Sequence, residues 1–373
     1  MRLRAAVLNQ IGGSLEIEQL ELAALEPTDV LVRIHASGLC HTDLEVIEGS
    51  LAYPMPIVLG HEGAGVVEAV GKDVSLVKPG DHVVCSWNPH CGHCFYCERD
   101  LPILCESFTR WQPKGMLLDG RSRLSRASGP NAGRPVHHFS VVSSHAEYSV
   151  VPESGAIAVP KQIPFDRACL IGCGVMTGVG AASRKARLEP GASVLVIGCG
   201  AVGLNAIQGA KLAGAGVVIA ADISDAKLDR ARIFGADLHV GAASQDALQR
   251  LREMTHGRGP DYVLECAGHE RAFRLAVEAV RPGGQVVFLG KVNVDQEVSF
   301  RWGSLMGEKR IVRSSYGGAR PRRDFPWLAQ QYLEGKLLLD ELITRRIALE
   351  EINDGFDAMR RGQTIREVVV FPH

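Results

Sequence analysis

The sequence predicts a two-domain α/β protein, a β-rich domain carrying metal ligands joined to a doubly wound parallel sheet. Three observations predict it. The chain has 373 residues, more than a single hydrophobic core commonly serves. Up to about residue 160, short β-like runs are broken by Gly and Pro, and helical periodicity is scarce. From about Pro190 onward, apolar runs of strand length alternate with helix-like stretches.

The β-like runs of the first part are Val30–Ala36, Gly65–Ala69, His82–Cys85 and Tyr148–Val151. Between the last two, Thr109–His138 is rich in Gly, Ser, Arg and Pro and reads as a long loop. In the second part, strands are expected at Ser193–Ile197, Val217–Ala221, Tyr262–Glu265 and Val286–Leu289. Helices are expected at Gly203–Leu212, Asp225–Phe234 and Glu270–Val280. Apolar strands of this kind, set between helices, are buried on both faces of a parallel sheet. Val298–Phe300 and Arg310–Ser315 continue as strand-like runs at the end of that sheet, an edge that invites pairing with a second copy. Beyond about Gly317 come helices near Trp327–Leu333 and Leu349–Arg360, then a strand Glu367–Phe371.

Composition excludes several function classes. The formal net charge is −1, which provides no basic field for nucleic acid or an anionic membrane. No apolar stretch is long enough to span a bilayer, and no secretory leader is recognisable at the N-terminus. Ten cysteines without a leader read as metal ligands in a reducing compartment, the cytoplasm.

Gly198, Gly200 and Gly203 form GxGxxG between an expected strand and helix. The first glycine permits a tight turn, the second admits a pyrophosphate against the backbone, and the third lets helix pack on strand. Asp222 ends the next strand, where a carboxylate would accept from adenosine ribose hydroxyls and repel a 2′-phosphate. NAD is therefore expected rather than NADP.

Cys91, Cys94, Cys97 and Cys105 have the spacing of a closed zinc site, and four thiolates saturate the ion, so its role is structural. Cys40 in GLCHTD, His61 in LGHEGAG and Cys173 in GCGVMTG make a different set. Two thiolates and an imidazole leave a fourth zinc position for a substrate oxygen. Asp43 is placed to accept from the His61 ring, and Glu62 adjoins it as an occasional ligand.

These motifs, in this order, resemble the zinc-dependent medium-chain alcohol dehydrogenases over nearly the whole chain, through IREVVVF. Within that family the chain looks closest to the class III and aryl-alcohol branches, through GCGVMTGVGAA and GMLLDGRSRL. The resemblance implies a GroES-like catalytic domain made of residues 1–173 and 317–373, enclosing a Rossmann domain of 174–316. It implies that Cys40, His61 and Cys173 bind catalytic zinc and that Thr42 takes the alcohol proton. His41 and Arg366 match pyrophosphate contacts, Thr177 and Val202 match residues lining the nicotinamide, and Lys227 is assigned to the cofactor with Asp222. Trp87 matches an aromatic position of the substrate channel; with Leu51 and Phe108 it suggests an apolar pocket.

Two departures shape the expected function. Where many members carry a relay histidine, this chain has Glu45. Where glutathione-linked members carry acidic residues and an Arg, it has Leu51, Ala52, Tyr53 and Thr109. The expected reaction is NAD-linked interconversion of a primary aryl, allylic or other apolar alcohol and its aldehyde. The alternative is a thiol-linked formaldehyde dehydrogenase acting on a glutathione or mycothiol adduct. A homodimer is expected, with no nucleic-acid or membrane partner.

Overall fold

A computed structural model describes residues 1–372, and the chain divides into two compact units: Met1–Cys173 with the segment from Arg320 on, and Gly174–Ala319.

The first unit is organised by two sheets. The strands Arg2–Leu8, Leu15–Leu22, Leu124–Arg126, Pro135–His138 and Ile57–Val58 close into a barrel. A seven-stranded sheet runs in the order Ala156–Ala158, His82–Cys85, Glu62–Val70, Asp29–Gly38, Arg366–Val370, Ile343–Ile347, and Tyr148–Pro152 also pairs with Asp29–Gly38. Alternation along Asp29–Gly38 shows why this strand is central. Val30, Val32 and Ile34 point into one apolar core and Leu31 into another, so both faces are buried.

The segment Thr109–His138 is not the loop its composition suggests. It begins inside the helix Glu106–Trp111 and contains the two strands that close the barrel, Leu124–Arg126 and Pro135–His138. These strands are short, and Leu124 and Val136 supply their buried apolar contacts. Buried Arg123 beside them is neutralised by Asp29, 2.6 Å away. Ladder pairing with Leu15–Leu22 organises the segment, and that partner is distant in sequence.

The second unit is a six-stranded parallel sheet in the order Leu238–Gly241, Val217–Asp222, Ser193–Ile197, Tyr262–Glu265, Gln285–Phe288, Arg310–Arg313. Strand order reverses direction at Ser193–Ile197, which opens a crevice at the carboxyl ends of the central strands. The strand Leu238–Gly241 and the helix Ala247–Glu253 escape the sequence reading because the strand is short and only Val240 is fully buried. Val298–Phe300 is not a strand. Phe300 stacks instead on Phe288, with ring centroids 6.3 Å apart, and the sheet ends at Arg310–Arg313.

Candidate functional site

Cys40 follows the central strand Asp29–Gly38 and is the N-cap of the helix His41–Glu48. His61 immediately precedes the strand Glu62–Val70, and Cys173 lies in a π-helical turn, Ile171–Val175. One ligand atom from each of Cys40, His61, Glu62 and Cys173 lies within 4.8 Å of the others. His61 Nε2 is 3.3 Å from Cys173 Sγ. Buried Asp43 ties two of the ligand segments together. Its Oδ2 accepts from the Cys40 N–H at 3.1 Å, and its Oδ1 accepts from the Gly60 N–H at 3.0 Å and lies 3.3 Å from His61 Nδ1.

The electrostatics of this cluster fit a divalent cation. The Cys173 thiol holds its partner Cys40 well below the usual thiol range, while Cys173 itself is pushed up by Cys40 and by burial. Thiols bind a divalent cation as thiolates, so an ion held here would displace their protons. Burial pushes the Glu62 carboxyl up to about 7 against the opposing pull of Arg366. Neither Glu62 oxygen has a hydrogen-bond partner, although Arg366 stands 3.4 Å from Oε1. Two thiols and an imidazole are a donor set for zinc that leaves a fourth position open, with the unsatisfied Glu62 carboxylate beside it.

The second cluster, Cys91, Cys94, Cys97 and Cys105, also converges within 4.8 Å. Its sulfurs accept backbone N–H groups: Cys91 N donates to Cys105 Sγ at 3.3 Å and Glu106 N to Cys94 Sγ at 3.4 Å. The Glu106 amide draws the Cys94 thiol down to about 6. Cys105 is buried and the other three are partly exposed.

In the second unit, the glycine loop leads from Ser193–Ile197 into the helix Ala201–Leu212. Gly198 sits at φ 90°, and a Cβ on Gly203 would lie 1.8 Å from the Gly198 carbonyl oxygen, so both are required by the fold itself. Gly200 differs, since a Cβ there would meet nothing within 4 Å. An intramolecular reason for glycine is missing at Gly200, and a dinucleotide phosphate approaching the backbone supplies one. Asp222 Oδ2 accepts from the Cys199 N–H at 2.7 Å and its Oδ1 from the Ser224 N–H at 3.0 Å. The cap of the next helix is Ser224, not Asp222. Lys227 is exposed on that helix. Thr177 and Val202 lie on helices packed so closely that a Cβ on Gly178 would lie 2.4 Å from the Val202 carbonyl.

Thr42 and Glu45 occupy one face of His41–Glu48, three residues apart, and both are partly exposed, whereas His41 is exposed. Thr42 Oγ1 is 3.9 Å from Cys40 Sγ. Trp87 and Phe108 have ring centroids 6.2 Å apart, and Leu51 packs partly buried against the core that also receives Trp87. Phe108 is buried at 8% exposure. Arg366 is buried beside Glu62. The sequence reading missed Phe139, whose ring stands edge-on to His61 at 5.4 Å. No local motif marks it.

Residues 26–161 match the alcohol dehydrogenase GroES-like domain and residues 201–334 the zinc-binding dehydrogenase domain. A class-3 alcohol dehydrogenase of Cereibacter sphaeroides is 40% identical over 380 residues, covering 100% of both chains. An S-(hydroxymethyl)glutathione dehydrogenase of Paracoccus denitrificans is 37% identical, again covering 100% of both. The crystal structure of benzyl alcohol dehydrogenase from Acinetobacter calcoaceticus superposes with a TM-score of 0.93 at 32% identity, with full coverage of both chains. The cofactors are accordingly zinc, at a structural Cys₄ cluster and a catalytic cluster of Cys, His and Glu, and NAD on the Rossmann unit. A GroES-like unit holding a closed and an open zinc cluster, followed by a dinucleotide loop on a parallel sheet, makes this chain a member of the zinc-dependent medium-chain alcohol dehydrogenase family.

Proposed function

We propose that this enzyme interconverts a hydroxymethyl adduct of a thiol and the corresponding thioester with NAD. The reaction class rests on one observation, the convergence of Cys40, His61 and Cys173 beside an unsatisfied Glu62. The substrate class is favoured by the full-length relatives, which are named for S-(hydroxymethyl)glutathione or as class-3 enzymes. They reverse the order expected from sequence, where an apolar alcohol came first. That second reading keeps a specific support in Leu51, Ala52 and Tyr53, which offer no charge to a glutathione carboxylate or amine. The benzyl alcohol dehydrogenase of the same fold agrees with it. NADH formation from formaldehyde, measured with and without glutathione or mycothiol, decides between them. Turnover of benzyl or allylic alcohols with no thiol-dependent formaldehyde activity would reject the thiol-adduct reading.

When bound, zinc supplies Lewis-acid polarisation of a substrate oxygen and NAD supplies the hydride acceptor. The chain's own residues do the remaining work. Asp43 orients the His61 ring, Thr42 accepts the substrate hydroxyl proton, and its hydroxyl donates onward in the same act. Glu45, next on that helix face, is the candidate for carrying the proton toward solvent. Arg366 and His41 are assigned to the pyrophosphate, Asp222 and Lys227 to the adenosine ribose, and Thr177 and Val202 to the nicotinamide. Trp87, Leu51 and Phe108 are assigned to the substrate pocket.

A homodimer is part of this proposal. The edge strand Arg310–Arg313 has Ile311 at 42% exposure, and Trp302 and Met306 nearby are 78% and 62% exposed. Apolar surface beside an unpaired strand edge favours a second copy. Light scattering should return twice the 40.2 kDa chain mass. A cytoplasmic location is proposed because none of the ten cysteines is in a disulfide. No helix among the described residues is long and apolar enough to cross a membrane.

A further inference from the structure

Left-handed backbone is uncommon for any residue with a Cβ and rarer for a β-branched one. Three such residues fall in one short turn: Ser140 at φ 49°, Val141 at 61° and Ser143 at 56°. The turn is buried, with Val141 at 0% exposure, so solvent does not relieve it. Strain of this kind persists only where surrounding contacts over-determine it.

Some of those contacts hold the turn to the barrel and others tie it to the segments of the open metal site. Ser143 Oγ donates to the Val58 carbonyl at 2.8 Å and accepts from the Phe139 N–H at 2.9 Å. The Ser149 hydroxyl donates to the Val142 carbonyl. Ser144 N donates to the Gly60 carbonyl at 2.9 Å, and His145 N to the Leu59 carbonyl at 3.0 Å. Ser37 Oγ lies 2.7 Å from Ser144 Oγ and 2.9 Å from His145 Nδ1. Ser37 belongs to the strand that runs into Cys40, and Leu59 and Gly60 run into His61. A Cβ on Gly60 would sit 2.6 Å from His145 N and 2.7 Å from Ser144 Oγ, so nothing separates turn from ligand segment. The turn also begins with Phe139, whose ring packs edge-on against both His61 and Tyr53.

We infer that the strained turn Phe139–His145 is a positioning clamp for the open metal site, with Ser37, Ser144 and His145 as its positioning residues. Asp43 already joins the Cys40 and Gly60 amides. The buried hydroxyl–hydroxyl–imidazole cluster joins the same two segments a second time. Two ties between two segments restrict rotation as well as separation, which one tie cannot do. The Phe139 edge then limits the tilt of the His61 ring. The inference rests on reading Cys40, His61 and Cys173 as zinc ligands.

The test is zinc release from the purified holoenzyme to a chelating dye, with the closed Cys91–Cys105 cluster as internal reference. Cys40→Ser and Cys94→Ser assign the two release phases. Ser37→Ala, Ser144→Ala and His145→Gln should each speed release from the open site about tenfold, the lower end of what outer ligand partners contribute, and leave the other phase unchanged. His145→Asn should behave as wild type, because its amide keeps a polar atom at the position of Nδ1, whereas the longer Gln displaces it. Open-site release at the wild-type rate in Ser37→Ala and Ser144→Ala overturns the clamp. So does equal acceleration of both phases, which marks general loosening. A wild type carrying only one zinc overturns the metal reading and the clamp with it, and the zinc count separates that failure from the others.

Discussion

The closed cluster draws Cys91, Cys94, Cys97 and Cys105 from a single stretch of chain, while the open cluster draws Cys40, His61 and Cys173 from a strand end, a loop and a π-helical turn. The first is held by its own loop, with N–H groups of Cys91 and Glu106 on the sulfurs and three cysteines partly exposed. The second is held by buried tertiary contacts, chiefly Asp43 between the Cys40 and Gly60 amides. Four thiolates saturate zinc and can contribute only to folding. Two thiolates and an imidazole leave a position for substrate. The chemistry therefore sits where the protein must spend tertiary structure to build a site, and stability where local spacing suffices.

The largest effects should separate the two clusters outright. Cys40→Ser or Cys173→Ser should leave a folded protein with one zinc and lower kcat by at least about a thousandfold, equivalent to the several kcal/mol a Lewis acid supplies. Cys94→Ser should instead lower the melting temperature. Zinc analysis, circular dichroism and kcat on the same preparations check this. A Cys94 variant as inactive as the Cys40 variant but thermally unchanged would break the comparison.

The proton path of the open cluster comes next. Thr42→Ala should reduce alcohol oxidation by about 10²–10⁴, the range for a positioned proton acceptor. Glu45→Gln should cost about tenfold or more when the carboxylate carries the proton onward. A pH–rate profile unchanged in Glu45→Gln would remove Glu45 from the path and leave the proton to water.

A smaller effect concerns the second unit. Asp222→Ala should weaken NAD about ten- to a hundredfold, the worth of a hydrogen bond to a charged group, and ease discrimination against NADP. Because Asp222 also holds the Cys199 amide of the glycine loop, part of this loss should appear for both cofactors alike. Titration with NAD and NADP, monitored by protein fluorescence, resolves the two contributions. A wild type that prefers NADP would show that Asp222 does not select the cofactor.

The mildest prediction tests the buried packing of the barrel, through His138 of the strand Pro135–His138. Burial pushes the His138 imidazole down to about 3, and its Nε2 accepts from the Arg123 N–H at 3.1 Å, so the folded state holds it neutral. Its folded value is below the unfolded one, so the stabilising effect is complete above the unfolded value of about 6.5 and is lost as pH falls below it. The loss should approach about 1.4 kcal/mol per pH unit for this one group. Melting temperature measured from pH 7 to pH 5 should fall less steeply in His138→Asn than in wild type. Equal slopes would show that His138 is not the proton-linked group.

The sequence by itself determined what depends on neighbours along the chain. The spacing of CGHCFYC with Cys105 marks a closed zinc cluster because four thiols on one loop need no further scaffold. GCGAVG between an apolar run and a helix marks the dinucleotide loop, and alternating apolar runs mark the parallel sheet, because both patterns are local. Cys40, His61 and Cys173 were legible only through their motif contexts. Buried Cys85, Cys169 and Cys199 carry no difference in residue type that would exclude them as ligands. Tertiary structure alone decided that Leu124–Arg126 and Pro135–His138 close a barrel, since beyond pairing with each other they pair with Leu15–Leu22 and Ile57–Val58, far away in sequence. It also decided that Ser37 meets Ser144 and His145, which lie more than a hundred residues further along the chain. Backbone pairing and buried polar contacts of this range leave no periodicity in a sequence. They exist only once the cores that surround them have formed.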